Sequence, residues 1–406
     1  MTAAPASLLQ GIRVIDMTNV LAGPYAGYQL ALLGADVIKV EVPGAGDLAR
    51  NLGTDAQLNA DGLGISFLAQ NAQKRSVTVN LKTPGGRKVF EDLLRTADVL
   101  IENFRPGVLT RLGFSPERVR EIAPQLVLCA ISGFGQDGPR KDAPAYDQII
   151  QGASGMMDVT GHPDGESLRA GYPIADTLGG LAAAFAISSA LVGRARTGTG
   201  CVIDVSMLET AVTALGWVVS NHLVGGAEPA RLGNENGTAA PSGTFQTAEG
   251  QLNIAANKQE QFETLCTALG REDLVGDPRF AHREDRKRHR AELTVELEGV
   301  LRARPAREWE EILSARNVPA GAVLTVPQML ASPQILAREL VHELPFPGAD
   351  QGRGPLRVLG HGIHVDGRAH GPVVAPPTLG EHTDRLLAEL GYSSPEIDRL
   401  HREGDV

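Results

Sequence analysis

Short apolar runs alternate with helical stretches through the first half of the chain. GIRVID (Gly11–Asp16), ADVIKVE (Ala35–Glu41), SVTVNL, ADVLIEN and LVLCAISGFG (Leu126–Gly135) each read as a strand buried on both faces. Between them, Tyr25–Leu33, the stretch opened by Pro84 and Pro116–Ile122 read as helices, with Pro84 suited to a first turn. This alternation predicts an α/β fold with a parallel sheet covered on both faces. Ligands on such sheets lie beyond the carboxyl ends of the strands. The loops Val20–Gly23, Asn103–Gly107 and Gly133–Tyr146 are therefore candidate site loops. Val42–Gln70 has little periodicity and is expected to be a long loop, a kind of segment that is often functional.

The stretch Ala170–Gly200, AGYPIADTLGGLAAAFAISSALVGRARTGTG, predicts one long buried helix. Arg194 and Arg196 suit its last turn and Gly198 its end. Asp176 stands where an N-cap belongs. A carboxylate there faces free N–H groups and the positive end of the helix dipole, so it is expected to be ionised. It can act as a nucleophile or serve only as the cap. The apolar run Leu178–Val192 is interrupted by Gly and Ser and reads as too short for a membrane span. CVIDVSMLETAVTALGWVVSNHLVGG follows as a strand and a helix. Gly225–Ser242 reads as a linker, TFQTAEGQLNIAA as two short strands, and DPRFAHREDRKRHRAEL as a solvated basic helix face. Gly348–Pro377 is Gly/Pro-rich and is expected to return the chain to the first domain, where the helix His382–Leu390 docks. The expected domains are 1–222, 223–330 and 331–406.

Composition narrows the class. The chain has 406 residues, of which 42% are hydrophobic and 4% aromatic, and 47 are glycines. It can bury large cores, with helices packed closely. The net charge of −10 argues against a nucleic-acid binder, which would carry a basic footprint. Cys129, Cys201 and Cys266 form no CxxC pair, so neither a disulfide framework nor a zinc site is expected. The opening MTAAPASLLQG lacks the basic and apolar regions of a signal peptide, and a soluble cytoplasmic protein is expected. Glu41 stands about where a ribose-binding acid would close a dinucleotide site, but GPYAG (Gly23–Gly27) is not the GxGxxG that such a site needs. His282 and His289 lie in a basic stretch, and His361, His364 and Asp366 in a Gly-rich loop. No metal site is expected.

Six ordered motifs carry a resemblance: GIRVIDMTNVLAGPYAGYQLALLGADVIKVE, NAQKRSVTVNLKTPGG, ENFRPGVLTRLG, AISGFGQDGP, YDQIIQGASGMM and YPIADTLGGLAAAFAISSALVGRARTGTG. Together they resemble the class III CoA-transferases from about Gly11 to Asn221, and more weakly beyond. The resemblance implies a Rossmann-like large domain built from both ends of the chain, a smaller middle domain, and an interlocked homodimer. It implies that Asp176 is the catalytic aspartate and forms acyl-anhydride and aspartyl-CoA intermediates. Acyl-CoA and a small carboxylic acid would be the substrates, with no tightly bound cofactor and neither nucleic acid nor membrane as partner. Leu21 and Ala22 match the stretch at the CoA thiol end. Asn80, Leu81 and Lys82 match an adenine contact, and Asn103, Phe104 and Arg105 the pantetheine and phosphate loop. Arg111 matches a cationic position near the phosphates. Tyr146 and Asp147 match positions beside the aspartate. Lys74 and Arg75 are open between a nucleotide contact and a surface position.

Two departures bear on the reaction. The racemase branch of the same fold, the alternative reading, carries a histidine at the position of Tyr146 as half of an acid/base pair. A tyrosine, with its ordinary pKa of about 10, is a poor base, which favours transfer. Formyl-CoA:oxalate transferases carry Gln where Leu21 stands, and four glycines where this chain has Ala256-Asn257-Lys258-Gln259. In the family that loop gates the acceptor. Asn257, Lys258 and Gln259 are therefore candidates to bind the remote carboxylate of a C4–C6 dicarboxylate, with succinyl-CoA as donor.

Overall fold

The computed structural model describes residues 7–348 and 352–406. The first residues of MTAAPASLLQG, and three within Gly348–Pro377, lie outside them. Six strands form one parallel sheet: β1 (Arg13–Asp16), β2 (Asp36–Glu41), β3 (Arg75–Thr78), β4 (Val99–Glu102), β5 (Val127–Ser132) and β6 (Val202–Ser206). Their order is β3-β2-β1-β4-β5-β6, and every neighbouring pair is parallel. The chain starts at the centre, builds outward to β3, then crosses back to build the other half. That reversal leaves a crevice at the carboxyl ends of β1 and β4.

The helices include α1 (Ala22–Leu32), α2 (Pro84–Arg95), α3 (Asp147–Ala153), α4 (Ile174–Thr197), α5 (Met207–Ala214), α6 (Trp217–Gly225), α7 (Gln259–Leu269), α8 (Thr383–Glu389) and α9 (Ser394–Glu403). Successive strand residues point to opposite faces, so each strand feeds two cores. Ile15, Ile38, Val77, Leu100 and Leu128 pack with Val89 and Phe90 of α2 and with Leu386, Leu387 and Leu400 of α8 and α9. Val14, Val37, Val99, Ile101 and Cys129 pack under α1 and α4 with Leu30, Ala183 and Ile187. α4 crosses α1 at Gly180, where a Cβ would stand 2.5 Å from the Ala22 carbonyl oxygen. The interhelical approach therefore requires glycine.

The chain divides into two compact units. The first comprises Met1–Met156, Arg169–Ala227 and Gln334–Val406, and the second Met157–Leu168 and Glu228–Pro333. Met157–Leu168, expected inside the first domain, belongs to the second unit. There Arg231 donates to the Asp158 carbonyl oxygen and the Ser167 hydroxyl, a tie that no local pattern reveals. The second unit contains the antiparallel strands β7 (Ser242–Gln246), β8 (Gln251–Ala255) and β9 (Ala320–Ala322). Leu252 and Ile254 pack with Phe262, Leu265, Leu297 and Trp309. The stretch read as a solvated basic face buries one of its charges. Arg286 is 1% exposed, lies 4.3 Å over the Phe262 ring, and donates to the carbonyl oxygens of Ala240 and Phe280.

Three further expectations are corrected. α4 is 24 residues, long and apolar enough by length and composition to cross a bilayer. The stretch after β6 is two helices, α5 and α6, broken at Gly216 with φ +51°. A last helix, α9, follows α8.

Candidate active site

The sheet delivers three loops to one edge. β1 ends at Asp16 and passes through Val20, whose φ of +68° is left-handed. The chain then enters α1, with Leu21 at the N-cap and no side chain capping the helix. β4 ends at Glu102 and delivers Asn103 and Phe104. β5 ends at Ser132 and delivers Gly133. α4 supplies Asp176 from its first turn. Together these elements enclose a cavity of about 170 Å³ lined by Val20, Leu21, Ala22, Asn103, Phe104, Tyr146 and Asp176, among others. The structure thus gathers residues from five of the six motifs, from Asn19 to Asp176, around one carboxylate.

Asp176 is not the N-cap of its helix. That position is Pro173, and Asp176 is the third helical residue. The capping is done from a distance by Asp147 at the start of α3. Its Oδ1 accepts the Ala175 N–H at 2.8 Å and the Asp176 N–H at 3.4 Å, while its Oδ2 accepts from Gln151 at 2.6 Å. Gln151 in turn accepts the Ala170 N–H. Asp147 therefore satisfies the orphan donors of α4 and is spent on that task; its side chain is buried and does not line the cavity. It was expected beside the aspartate, among the CoA-binding positions.

The same arrangement sets the charge on Asp176. Burial, and after it the negative charge of Asp147, raise its carboxyl from an ordinary 3.8 to about 7. The carboxylate accepts no hydrogen bond among the described residues, so its charged form is poorly solvated. Contrary to expectation, Asp176 is poised near neutrality rather than held firmly ionised. Such a carboxylate is a stronger nucleophile than one in water.

Sequence reasoning missed Glu102 as a site-shaping residue. Its Oε2 accepts the Phe104 N–H at 2.7 Å and turns the loop at the end of β4. Burial, with the charge of Asp204 adding to it, raises its carboxyl to about 7. An acid ending a buried strand is the only sequence signal, and it is a weak one.

The sequence profile of CoA-transferase family III matches residues 9–383. The chain belongs to CoA-transferase family III.

A succinate–glutarate CoA-transferase from Agrobacterium fabrum is 38% identical to this CoA-transferase over 94% of this chain and 95% of its own. An acetyl-CoA:oxalate CoA-transferase from Acetobacter aceti is 38% identical over 88% of this chain and 91% of its own. Among solved structures, a CaiB/BaiF family protein from Brucella suis superposes with a TM-score of 0.83 at 37% identity, covering 94% of this chain and 99% of that one.

The remaining sequence-derived positions of the family III chain fall into three places. Arg105 and Arg111 flank the Gly107 turn, both exposed and in no ion pair among the described residues. They are free for an anion. Asn80, Leu81 and Lys82 follow β3. The Asn80 side chain is spent on its own backbone surroundings, donating to Gly404 O and accepting from Lys82 N; Leu81 is buried and Lys82 exposed. Asn257, Lys258 and Gln259 precede and open α7 in the second unit, all exposed. The Gln259 side chain is shared between Glu263 and Arg286.

Lys74, Arg75 and Glu41 are structural. Lys74 is sealed in an ion pair with Asp16, Arg75 bridges Asp36 and Glu389, and Glu41 takes a two-point contact from Arg50 at 2.7 Å. Glu41 has no capacity left for a ribose. Among the described residues no group of three His, Cys, Asp or Glu side chains is placed to hold a metal ion.

Proposed function

We propose that this CoA-transferase moves CoA from succinyl-CoA to a C4–C6 dicarboxylate, with glutarate the first acceptor to try, and that Asp176 is its nucleophile. The reading rests on one observation: a carboxylate with no hydrogen-bond donor among the described residues lies in a cavity at the α1 N-terminus and the strand ends. The succinate–glutarate relative supports the substrate pair.

The chemistry follows from that position. Ionised Asp176 attacks the thioester carbonyl carbon of the donor; the C–S bond breaks, giving a mixed anhydride and CoA thiolate. The thiolate attacks the aspartyl carbonyl of the anhydride, releasing succinate and leaving an aspartyl-CoA thioester. The acceptor carboxylate attacks that thioester and expels the thiolate again. The thiolate then attacks the acceptor's acyl carbon, forming the new acyl-CoA and restoring Asp176. No proton is gained or lost overall. Each step passes through an oxyanion, which the uncapped N–H groups at the start of α1 are placed to stabilise. Arg105 and Arg111 are free to meet the CoA phosphates. The exposed hydroxyl of Tyr146 borders the cavity as a donor rather than a base, which disfavours racemisation.

The same reading makes the enzyme a homodimer and assigns the acceptor's second carboxylate to Lys258. Phe185 on α4 is 75% exposed, and Trp217 and Val224 on α6 are 68% and 89% exposed. Apolar surface of this kind calls for a partner.

The test is a mass spectrum of the thioesters formed from succinyl-CoA and single acids: glutarate, itaconate, mesaconate, malate, citramalate, oxalate and a monocarboxylate. A new thioester from one dicarboxylate, lost in Asp176→Asn, is expected. Thioester formation that survives Asp176→Asn overturns the nucleophile, and deuterium uptake at the α-carbon of a 2-methylacyl-CoA without transfer would install the racemase instead.

A further inference from the structure

Four charged side chains are sealed under the edge of the cavity. Asp16 and Lys39 are 0% exposed, Asp47 and Lys74 1%. Two positive and two negative groups cancel, yet burying them costs more than an apolar replacement would. Their second contacts give the reason for keeping them. Lys39 Nζ binds Asp47 Oδ2 at 2.8 Å and also donates to Thr18 O at 2.8 Å. Lys74 Nζ binds Asp16 Oδ2 at 2.8 Å and donates to Pro24 O at 2.8 Å. Asp47 Oδ1 accepts the Val20 N–H at 2.9 Å. Asp16 Oδ1 accepts the Thr18 N–H at 3.0 Å. Every member of the network thus grips the loop 18–24 directly, and Asp16 also anchors Lys74.

The gripped loop is strained. Val20 has a φ of +68°, a region that a β-branched side chain rarely enters. Such a conformation persists only where the surroundings over-determine it. On either side of Val20, Asn103 clasps Asn19 through the Asn19 N–H and carbonyl oxygen, both at 2.8 Å, and Leu21 and Ala22 face the cavity that holds Asp176. A relaxed Val20 would re-aim the backbone at the start of α1.

We propose that the buried Lys39–Asp47 pair is a positioning device that holds Val20 in the left-handed conformation and so sets Leu21 and Ala22 against Asp176. The inference rests on the reading of Asp176 as nucleophile.

Asp47→Asn tests it, because an amide has one acceptor oxygen and cannot serve Lys39 and the Val20 N–H together. The expected result is a kcat about 10- to 100-fold lower for succinyl-CoA and glutarate, the range a small misplacement produces, with both KM values within about threefold. Hydrogen exchange in peptides covering residues 17–24 becomes faster. Val20→Gly added to Asp47→Asn recovers much of the lost kcat, because glycine adopts positive φ without strain; a merely structural loss would not be rescued there. If Asp47→Asn does not fold, Val20→Pro decides, since proline has no N–H and cannot reach φ +68° while all four charges remain. A kcat within about twofold of the native value in either folded variant, or no rescue by glycine, overturns the proposal. Should the native chain transfer no CoA at all, the transferase reading fails. Exchange at residues 17–24 then judges the network on its own, and unchanged exchange in Asp47→Asn refutes it.

Discussion

Replacing Asp176 by asparagine should make the protein more stable as it abolishes transfer, and the gain should depend on pH in a defined way. The carboxyl titrates at its ordinary 3.8 in the unfolded chain and at about 7 in the fold. Below pH 3.8 both states are protonated and the group has no effect. Between 3.8 and 7 the unfolded chain releases its proton while the folded one keeps it, so stability falls by about 1.4 kcal/mol for each pH step of one. Above 7 both states are ionised and the full cost, roughly 4 kcal/mol, stays constant. Asparagine has the same shape and carries no charge. The assay is thermal unfolding of the native chain and Asp176→Asn at pH 5, 6, 7 and 8. The other titrating groups are common to both proteins and drop out of the difference. The expected difference in Tm favours the variant, widens from pH 5 to 7 and levels off above 7. A difference that is flat with pH, or a variant less stable at pH 8, would refute the claim that burial and Asp147 load Asp176 with unfavourable charge.

Other outcomes follow from the same geometry. In the native enzyme kcat/KM should rise with pH through about 7, because only ionised Asp176 attacks; Asp147→Asn removes the nearby negative charge and should move that limb to lower pH, and an unmoved limb would separate Asp147 from the titration. Lys258→Ala should raise the KM of the dicarboxylate about tenfold or more while leaving that of the CoA donor within about twofold, the size of a lost charge-assisted contact. Equal changes in both would remove Lys258 from acceptor binding. On the proposed homodimer, Phe185→Asp should shift sedimentation toward the monomer, since it sets a charge on the exposed apolar face of α4; unchanged sedimentation would remove that face as the interface.

The strands of the parallel sheet were legible because each is a short apolar run between helical stretches, and a strand buried on both faces leaves that trace. The ends of α4 were less so. Arg194, Arg196 and Gly198 mark its close correctly, but the apolar run behind Asp176 put that residue at the N-cap, three positions after the true N-cap, Pro173. Capping is a matter of which donor meets which acceptor. Here the acceptor is Asp147, 28 residues upstream of Ala175, and no window along the chain contains both.

The sequence by itself determined the alternating α/β architecture and the family, and it singled out Asp176, Leu21, Ala22, Asn103, Phe104 and Tyr146, which the fold brings to one cavity. These rest on local hydrophobic order and on motifs that are contiguous in the chain. Only the tertiary structure decided that Lys74 is a buried partner of Asp16, that Asp47 restrains Val20, that Met157–Leu168 belongs to the second unit, and that Asp176 is held near neutrality. Each of these depends on desolvation and on hydrogen bonds between segments up to 73 residues apart. A charged residue reads the same in a sequence whether water or an opposite charge surrounds it; the sheet register and the packing of α3 and α4 choose between the two.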